Sequence, residues 1–366
     1  MMIKIICSAQ AYTYNAYHIV KAFYPAVEIT NHVEEKASNY VEINFSDGQV
    51  IAVEKEEIKA GTDAEKKAQI DKKLYKKLSE KSGKTLAWGI LTGVRPTKLA
   101  MKKLEEGMEP EAFVSWFRQT YLVSEEKARL AWEIAGREKK LLDRLDYEDG
   151  YSLYVGIPFC PTVCTYCSFS SGALEDWKDF VDAYVEALCK ELAFIGEVSK
   201  EKKLNSIYIG GGTPTSLNAR QLERILSCID THFSREYLLE YTVEAGRPDS
   251  ITEEKLQVIK AHKVTRISIN PQTMQQKTLD VIGRKHTVED ICRTYEMARS
   301  LGFDNINMDL IAGLPGETAL EMKDTLEKVG RLQPDSLTVH SLAIKRAAKM
   351  GQEVKAGHLI PSERIR

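Results

Sequence analysis

From Ser152 onward the chain alternates short apolar, β-rich runs with longer amphipathic ones, and this rhythm restricts the possible folds more than any other feature. The predicted strands are Ser152–Ile157, Ser206–Gly210, Glu240–Ala245, Thr265–Asn270, Asn305–Ile311 and Ser336–Leu342. The predicted helices between them are Trp177–Val198, Ala219–His232, Thr252–His262, Val288–Leu301 and Glu317–Arg331. Strands that alternate with helices bury their apolar faces as βαβ units around a parallel sheet. Six such strands in a row, with no signal for a reversal of order, predict an α/β fold: a partial (β/α)6 barrel. In either a barrel or an open parallel sheet, chemistry belongs at the C-terminal strand ends.

The first half reads differently. Tyr40–Phe45 and Gln49–Val53 alternate with period two around Ser46-Asp47-Gly48, which predicts a hairpin. Thr62–Lys81 has helical periodicity with Ile70, Leu74 and Leu78 on one face, and Thr62 or Asp63 caps it. Its lysines, interspersed with Glu65, Asp71 and Glu80, make a solvated face. Further helices are expected near Thr97–Glu106, Pro110–Tyr121 and Ser124–Leu145. The expected organisation is a small α+β domain with a helical connector over residues 1–147 and the barrel over 148–346. Residues 347–366 are expected to begin a further C-terminal region, cut short in this reading, in which Pro361–Arg366 reads as a helix start.

Composition narrows the function classes. A formal net charge of −2 supplies no field for a phosphate backbone, so no nucleic-acid partner is expected. No run approaches the roughly 20 apolar residues that span a bilayer, and Met1–Cys7 reads as a strand, so a cytoplasmic protein without a membrane partner is expected. There the seven cysteines should be reduced thiols. Cys7, Cys189, Cys228 and Cys292 stand singly among apolar residues and suit small buried hydrophobes.

The other three form Cys160-Pro-Thr-Val-Cys164-Thr-Tyr-Cys167, directly after the first barrel strand. Three thiolates on one short loop can converge on one metal centre, shielded by Phe159, Val163, Tyr166 and Phe169. Two centres compete. Structural zinc wants four closed ligands, and the nearest further cysteine, Cys189, lies inside a predicted helix. A 4Fe–4S cluster held by three thiolates keeps one iron open for a substrate or cofactor, and is the favoured reading.

Cys-x₃-Cys-x₂-Cys after the first strand of a βα series resembles the radical S-adenosylmethionine (SAM) superfamily. Leu153-Tyr-Val-Gly-Ile-Pro-Phe-Cys160, with Gly210-Gly-Gly-Thr-Pro-Thr215 downstream, resembles its oxygen-independent coproporphyrinogen III oxidase family, in the HemZ-like branch. The resemblance covers about Tyr151 to Ala343. It implies a 4Fe–4S cluster on Cys160, Cys164 and Cys167, whose open iron chelates SAM and whose electron breaks SAM into methionine and a 5′-deoxyadenosyl radical. It implies that Gly211, Gly212 and Thr213 approach the methionine group, that Glu244 holds a SAM amino or hydroxyl group, and that Tyr154 and Tyr166 lie near the cluster. Tyr154 and Glu244 are the residues it brings nearest the reaction. Gln272, Arg284, Asp309 and Ala343 match positions lining the same cavity, associated in the family with a second SAM.

The implied activity is oxidative decarboxylation of coproporphyrinogen III to protoporphyrinogen IX, with a flavodoxin- or ferredoxin-type electron donor. Two positions depart from the oxidase pattern: Gly156 stands where a histidine is frequent, and Phe169 where a fourth cysteine is frequent. A related branch with a similar Cys-x-Phe pattern binds and delivers heme, so a heme chaperone is one alternative reading, and a radical SAM enzyme acting on another substrate is the other.

Overall fold

A computed structural model of the chain describes residues 2–25, 27–345 and 347–356. The chain divides into two compact units between Arg144 and Leu145. The first unit contains β1 (Met2–Cys7), α1 (Gln10–Phe23), β2 (Glu28–Val33), β3 (Asn39–Phe45), β4 (Val50–Glu54), α2 (Asp63–Ser82), α3 (Pro96–Glu105), α4 (Pro110–Tyr121) and α5 (Glu125–Leu142). Its sheet has the order β2-β1-β3-β4, with β2 parallel to β1 and the other neighbours antiparallel. The predicted hairpin is β3–β4. Thr62 caps α2 through a reciprocal pair of hydrogen bonds with Glu65, and Ile70, Leu74 and Leu78 are buried as the periodicity requires.

Two elements escape the sequence pattern. Helix α1 has no side-chain cap and mixes tyrosines with small residues. Strand β2 is a largely exposed edge, so it lacks the apolar alternation of a half-buried strand. Asp71 was expected on the solvated face of α2 but is buried, where its carboxylate accepts from Asn15 Nδ2 at 2.6 Å. Helix α5 ends at Leu142, three residues before the expected Leu145.

The second unit contains β5 (Gly150–Ile157), the short bridge pair β6 (Phe159–Cys160) and β7 (Gly172–Ala173), α6 (Leu174–Trp177), α7 (Val181–Val198), β8 (Lys203–Gly211), α8 (Ala219–His232), β9 (Glu240–Gly246), α9 (Glu253–Ala261), β10 (Arg266–Ile269), α10 (Gln276–Val281), α11 (Val288–Ser300), β11 (Ile306–Ala312), α12 (Ala319–Leu332), β12 (Ser336–Ser341) and α13 (Lys349–Lys355). Strands β5, β8, β9, β10, β11 and β12 lie in sequence order in one parallel sheet, curled into a half barrel. The α/β half barrel expected from the alternation is the observed fold, and all six predicted strands are present within a few residues.

The core explains the pattern. Val155, Ile157, Ile207, Ile209, Val243, Ile267, Ile269, Met308 and Leu310 are buried from the strands, and Leu192, Leu222, Ile225, Leu256, Ile291 and Val329 from the helices. The predicted helix Trp177–Val198 is split: α6 and a 3-10 turn precede α7, which starts at Val181. The six-residue α10 is too short to show a period and was not predicted. The predicted helix start at Pro361–Arg366 lies outside the described residues. No helix among the described residues is long and apolar enough to cross a membrane.

Candidate functional site at the C-terminal strand ends

Parallel strands place all their C-terminal ends on one rim, and the predicted site residues follow from this. Cys160 lies on β6, immediately past β5, with Cys164 and Cys167 on the loop that follows. The loop is fastened locally and at long range. The Cys167 N–H donates to the Cys164 carbonyl (3.1 Å), and the Thr165 N–H to the Ile282 carbonyl (3.1 Å). The Met350 N–H at α13 donates to the Thr165 carbonyl (2.8 Å).

The glycine-rich run at the end of β8 is hydrogen-bonded to the strand ends that lead into this loop. The Gly212 N–H donates to the Ile157 carbonyl and the Thr213 N–H to the Phe159 carbonyl, both at 2.7 Å. Thr213 Oγ1 lies 3.5 Å from Cys160 Sγ. A Cβ added at Gly212 would stand 2.6 Å from the Phe159 carbonyl oxygen, so only glycine lets the two loops meet this closely. Gly211 adds a φ of +110°. Burial pushes the Cys160 thiol up, contacts with Thr213 and Ser171 pull it down, and Cys164 and Cys167 push it up further. Cys164 and Cys167 are therefore within electrostatic reach of Cys160.

Glu244, near the end of β9, is half-buried and accepts a hydrogen bond from Tyr208 OH on β8. Burial raises its carboxyl above the ordinary range, while the Tyr208 bond and the Gly211 amide work in the other direction. Tyr154 on β5 stacks on Tyr208 with centroids 5.9 Å apart and an interplanar angle of 11°. Gln272 lies past the end of β10 in the left-handed region (φ 67°), where its backbone bridges to β11: its N–H donates to the Asp309 carbonyl (2.9 Å).

Arg284 is buried. Its guanidinium donates to the Asn270 carbonyl and lies 3.3 Å from Tyr166 OH. Asp309 accepts from Asn307 Nδ2 at 2.7 Å. Ala343 is exposed on the loop after β12, and no contact joins it to the others. The shielding expected of all four apolar neighbours holds only in part. Phe159 is buried and Tyr166 half-buried, but Val163 is exposed and Phe169 is 76% exposed.

The site also contains residues the sequence reading missed. Tyr208 holds Glu244. Arg247, 2% exposed, reaches from the end of β9 to the cysteine loop. Asp249 and Arg247 form a two-pronged ion pair. The run Gly246-Arg-Pro-Asp249 directly after a barrel strand was the available signal.

Two observations test the fit of a cluster and SAM. Among the described residues, no three His, Cys, Asp or Glu side chains stand close enough to hold one metal ion. The donor chemistry is the positive sign: Cys160, Cys164 and Cys167 are three free thiols on one loop, the soft donors by which iron–sulfur clusters are held. The second observation is a set of buried polar atoms without protein partners: Asn270 Oδ1, Gln272 Oε1 and Arg284 Nε. Such atoms are costly unless a ligand or water satisfies them. They lie at and beyond the end of β10, on the rim expected to hold SAM, and the residues fit both groups.

A parallel half barrel with three thiols on the loop after its first strand is the architecture of a radical SAM domain. A family model described as the Radical SAM superfamily matches residues 154–329. The chain is 45% identical over 277 residues to the oxygen-independent coproporphyrinogen-III oxidase-like protein HemZ of Bacillus subtilis, covering 75% of this chain and 55% of HemZ. It is 35% identical over 215 residues to the heme chaperone HemW of the same organism, covering 58% of this chain and 56% of HemW. The solved structure of coproporphyrinogen III oxidase (HemN) from Escherichia coli, a radical SAM enzyme, superposes with a TM-score of 0.50 at 27% identity, covering 60% of this chain and 55% of that one.

Residues 154–329 thus match the radical SAM superfamily, and the chain is similar in sequence to HemZ and HemN. Its cofactors are a 4Fe–4S cluster and SAM. It spans about half the length of the curated relatives it matches.

Proposed function

We propose that the protein is a radical SAM oxidoreductase that decarboxylates two propionate side chains of coproporphyrinogen III to vinyl groups, giving protoporphyrinogen IX. The observation that supports this most is the hydrogen-bonded union of the cysteine loop with the glycine-rich loop, with Glu244 beside it. Residues 148–346 act as the catalytic barrel in this reading. Cys160, Cys164 and Cys167 hold the cluster. Gly211, Gly212 and Thr213 let the backbone approach the methionine part of SAM, and Glu244 accepts from its amino or hydroxyl groups. Gln272, Arg284, Asp309 and Ala343 are the positions that would meet a second SAM in this reading.

When bound, the cluster and SAM together supply a radical able to abstract a hydrogen atom. The chain's own residues position it. Tyr154 and Tyr208 form a stacked aromatic wall beside Glu244, and the buried Arg284 supplies a fixed positive charge. Each propionate loses carbon dioxide, one hydrogen atom and one electron, so the reaction also needs an electron acceptor. A flavodoxin- or ferredoxin-type protein supplies the electron that starts it.

Anaerobic reconstitution with iron and sulfide, followed by reductant and SAM, should yield 5′-deoxyadenosine. Cys164→Ala should abolish that product. No 5′-deoxyadenosine from fully reconstituted protein would sink the enzyme reading. Adding coproporphyrinogen III then tests the substrate by the appearance of protoporphyrinogen IX.

One observation favours heme binding as a second reading. Phe169 is exposed near an apolar pocket of about 650 Å³ lined by Pro158, Trp177, Phe180 and Tyr184. An exposed aromatic beside an apolar pocket suits a flat tetrapyrrole held rather than transformed. Titration with heme and with coproporphyrinogen separates the two: tight heme binding without decarboxylation selects the chaperone.

A further inference from the structure

Arg247 belongs to none of the positions assigned above, yet like Arg284 it is a buried cation beside the cysteine loop. Its guanidinium is 2% exposed, with every nitrogen directed at a named partner. Nε and Nη2 grip the two oxygens of Asp249, at 3.0 and 2.7 Å. Nη1 donates to the Thr162 carbonyl and to Thr162 Oγ1, both at 2.8 Å, and stands 3.8 Å from Cys164 Sγ. Thr162 lies between Cys160 and Cys164, and its hydroxyl also reaches the Gly283 carbonyl at 3.3 Å. One side chain thus connects the end of β9 to the middle of the metal-binding loop.

Stability alone does not explain the arrangement. A buried ion pair costs about as much in desolvation as it returns, and apolar side chains of similar volume often do as well. What the pair does supply is orientation. Asp249 fixes the guanidinium fork, and the end of the pair nearest Cys164 is positive. Groups outside the first ligands both orient those ligands and set a metal site's potential through charge and hydrogen bonds to sulfur.

We propose that Arg247, held by Asp249, is a positioning residue that fixes the Cys160–Cys164 segment through Thr162 and raises the reduction potential of the cluster through its charge beside Cys164. The proposal rests on the assignment of the three cysteines to the cluster. Its logic is electrostatic and directional. A fixed positive charge favours the reduced, more negative cluster, so removing it lowers the potential. Removing the Asp249 charge leaves Arg247 uncompensated and raises the potential. A merely structural role predicts no such opposition of sign.

The test uses the full chain, reconstituted anaerobically, with iron content measured and the cluster titrated by redox-poised electron paramagnetic resonance. Arg247→Gln leaves the buried Asp249 with only the His286 ring beside it, at 3.6 Å, so the Arg247→Gln/Asp249→Asn double variant is measured in parallel. The ratio of reduced to oxidised cluster at the wild-type midpoint should fall about tenfold in Arg247→Gln, roughly 59 mV for a one-electron couple, and by a smaller factor in the double variant, where the nearer positive charge is lost together with the farther negative one. Asp249→Asn should raise that ratio. Arg247→Lys keeps the charge but loses the fork, so its potential should stay near wild type while its iron content drops.

An unchanged potential in the double variant, or a shift of the same sign in Asp249→Asn, overturns the proposal with the cysteine assignment intact. Wild-type protein that takes up no cluster overturns the assignment itself, and the proposal with it.

Discussion

Glu244 is held between opposing influences that set when it carries charge. Burial raises its carboxyl, and the hydrogen bond from Tyr208 OH together with the Gly211 amide lowers it. If Glu244 accepts from SAM, the ligand needs the ionised form. SAM affinity should then weaken as pH falls through the raised value. Tyr208→Phe removes a lowering influence, so the acid limb of the affinity profile should move to higher pH. SAM binding measured against pH in both proteins checks this. A limb that stays in place would mean that another group titrates there. The same contrast shows what was readable residue by residue. Glu244 stood out as an acid ending an apolar strand, and the three cysteines by spacing alone. Tyr208 and Arg247 act over 36 and 83 residues of sequence, so even where a local run marks the residue, as Gly246–Asp249 does for Arg247, it does not encode the partner.

The elements were legible in proportion to the regularity of their burial. Helix α8 buries Leu222, Ile225, Leu226 and Ile229 from one face, and its predicted limits match the observed ones. Strand β2 and helix α10 are too exposed or too short to carry a period, and both were missed. Packing between elements was also hidden. Gly196, in the last turns of α7, reads as a helix-weakening residue. An added Cβ there would stand 2.7 Å from the His232 carbonyl oxygen at the end of α8. Replacing a helical glycine with alanine gains roughly 1 kcal/mol in propensity. Overpacking against an atom that cannot rotate away costs about 1–3 kcal/mol, so the clash wins. Gly196→Ala should lower the urea midpoint of the barrel without changing the slope. An increase in the midpoint would show that α7 and α8 part easily.

At the scale of the whole chain, the burial is divided. Ile3, Ile5, Val41, Ile43, Leu74 and Leu78 belong to the first unit's sheet-and-helix core, and Phe113, Phe117 and Ala131 to a second cluster in that unit. The barrel closes a core of its own around Ile157, Ile209, Val243, Ile267 and Leu310. A unit with its own core unfolds cooperatively, and a chain of two such units need not show one transition. Ligands add a way to tell the units apart, because a ligand that binds only the folded state stabilises the unit that holds it, by about 2.7 kcal/mol at a hundred times its dissociation constant. All proposed contacts to the cluster and SAM come from the barrel unit. Calorimetry of reconstituted protein should therefore resolve two heat-absorption peaks, of which only one moves upward with SAM concentration. Limited proteolysis of samples quenched between the peaks should show which unit remains folded, the barrel in the presence of SAM. A single peak that moves as a whole would show that the two cores melt together, and would assign to the first unit a share of the ligand-linked stability that its residues alone give no reason to expect.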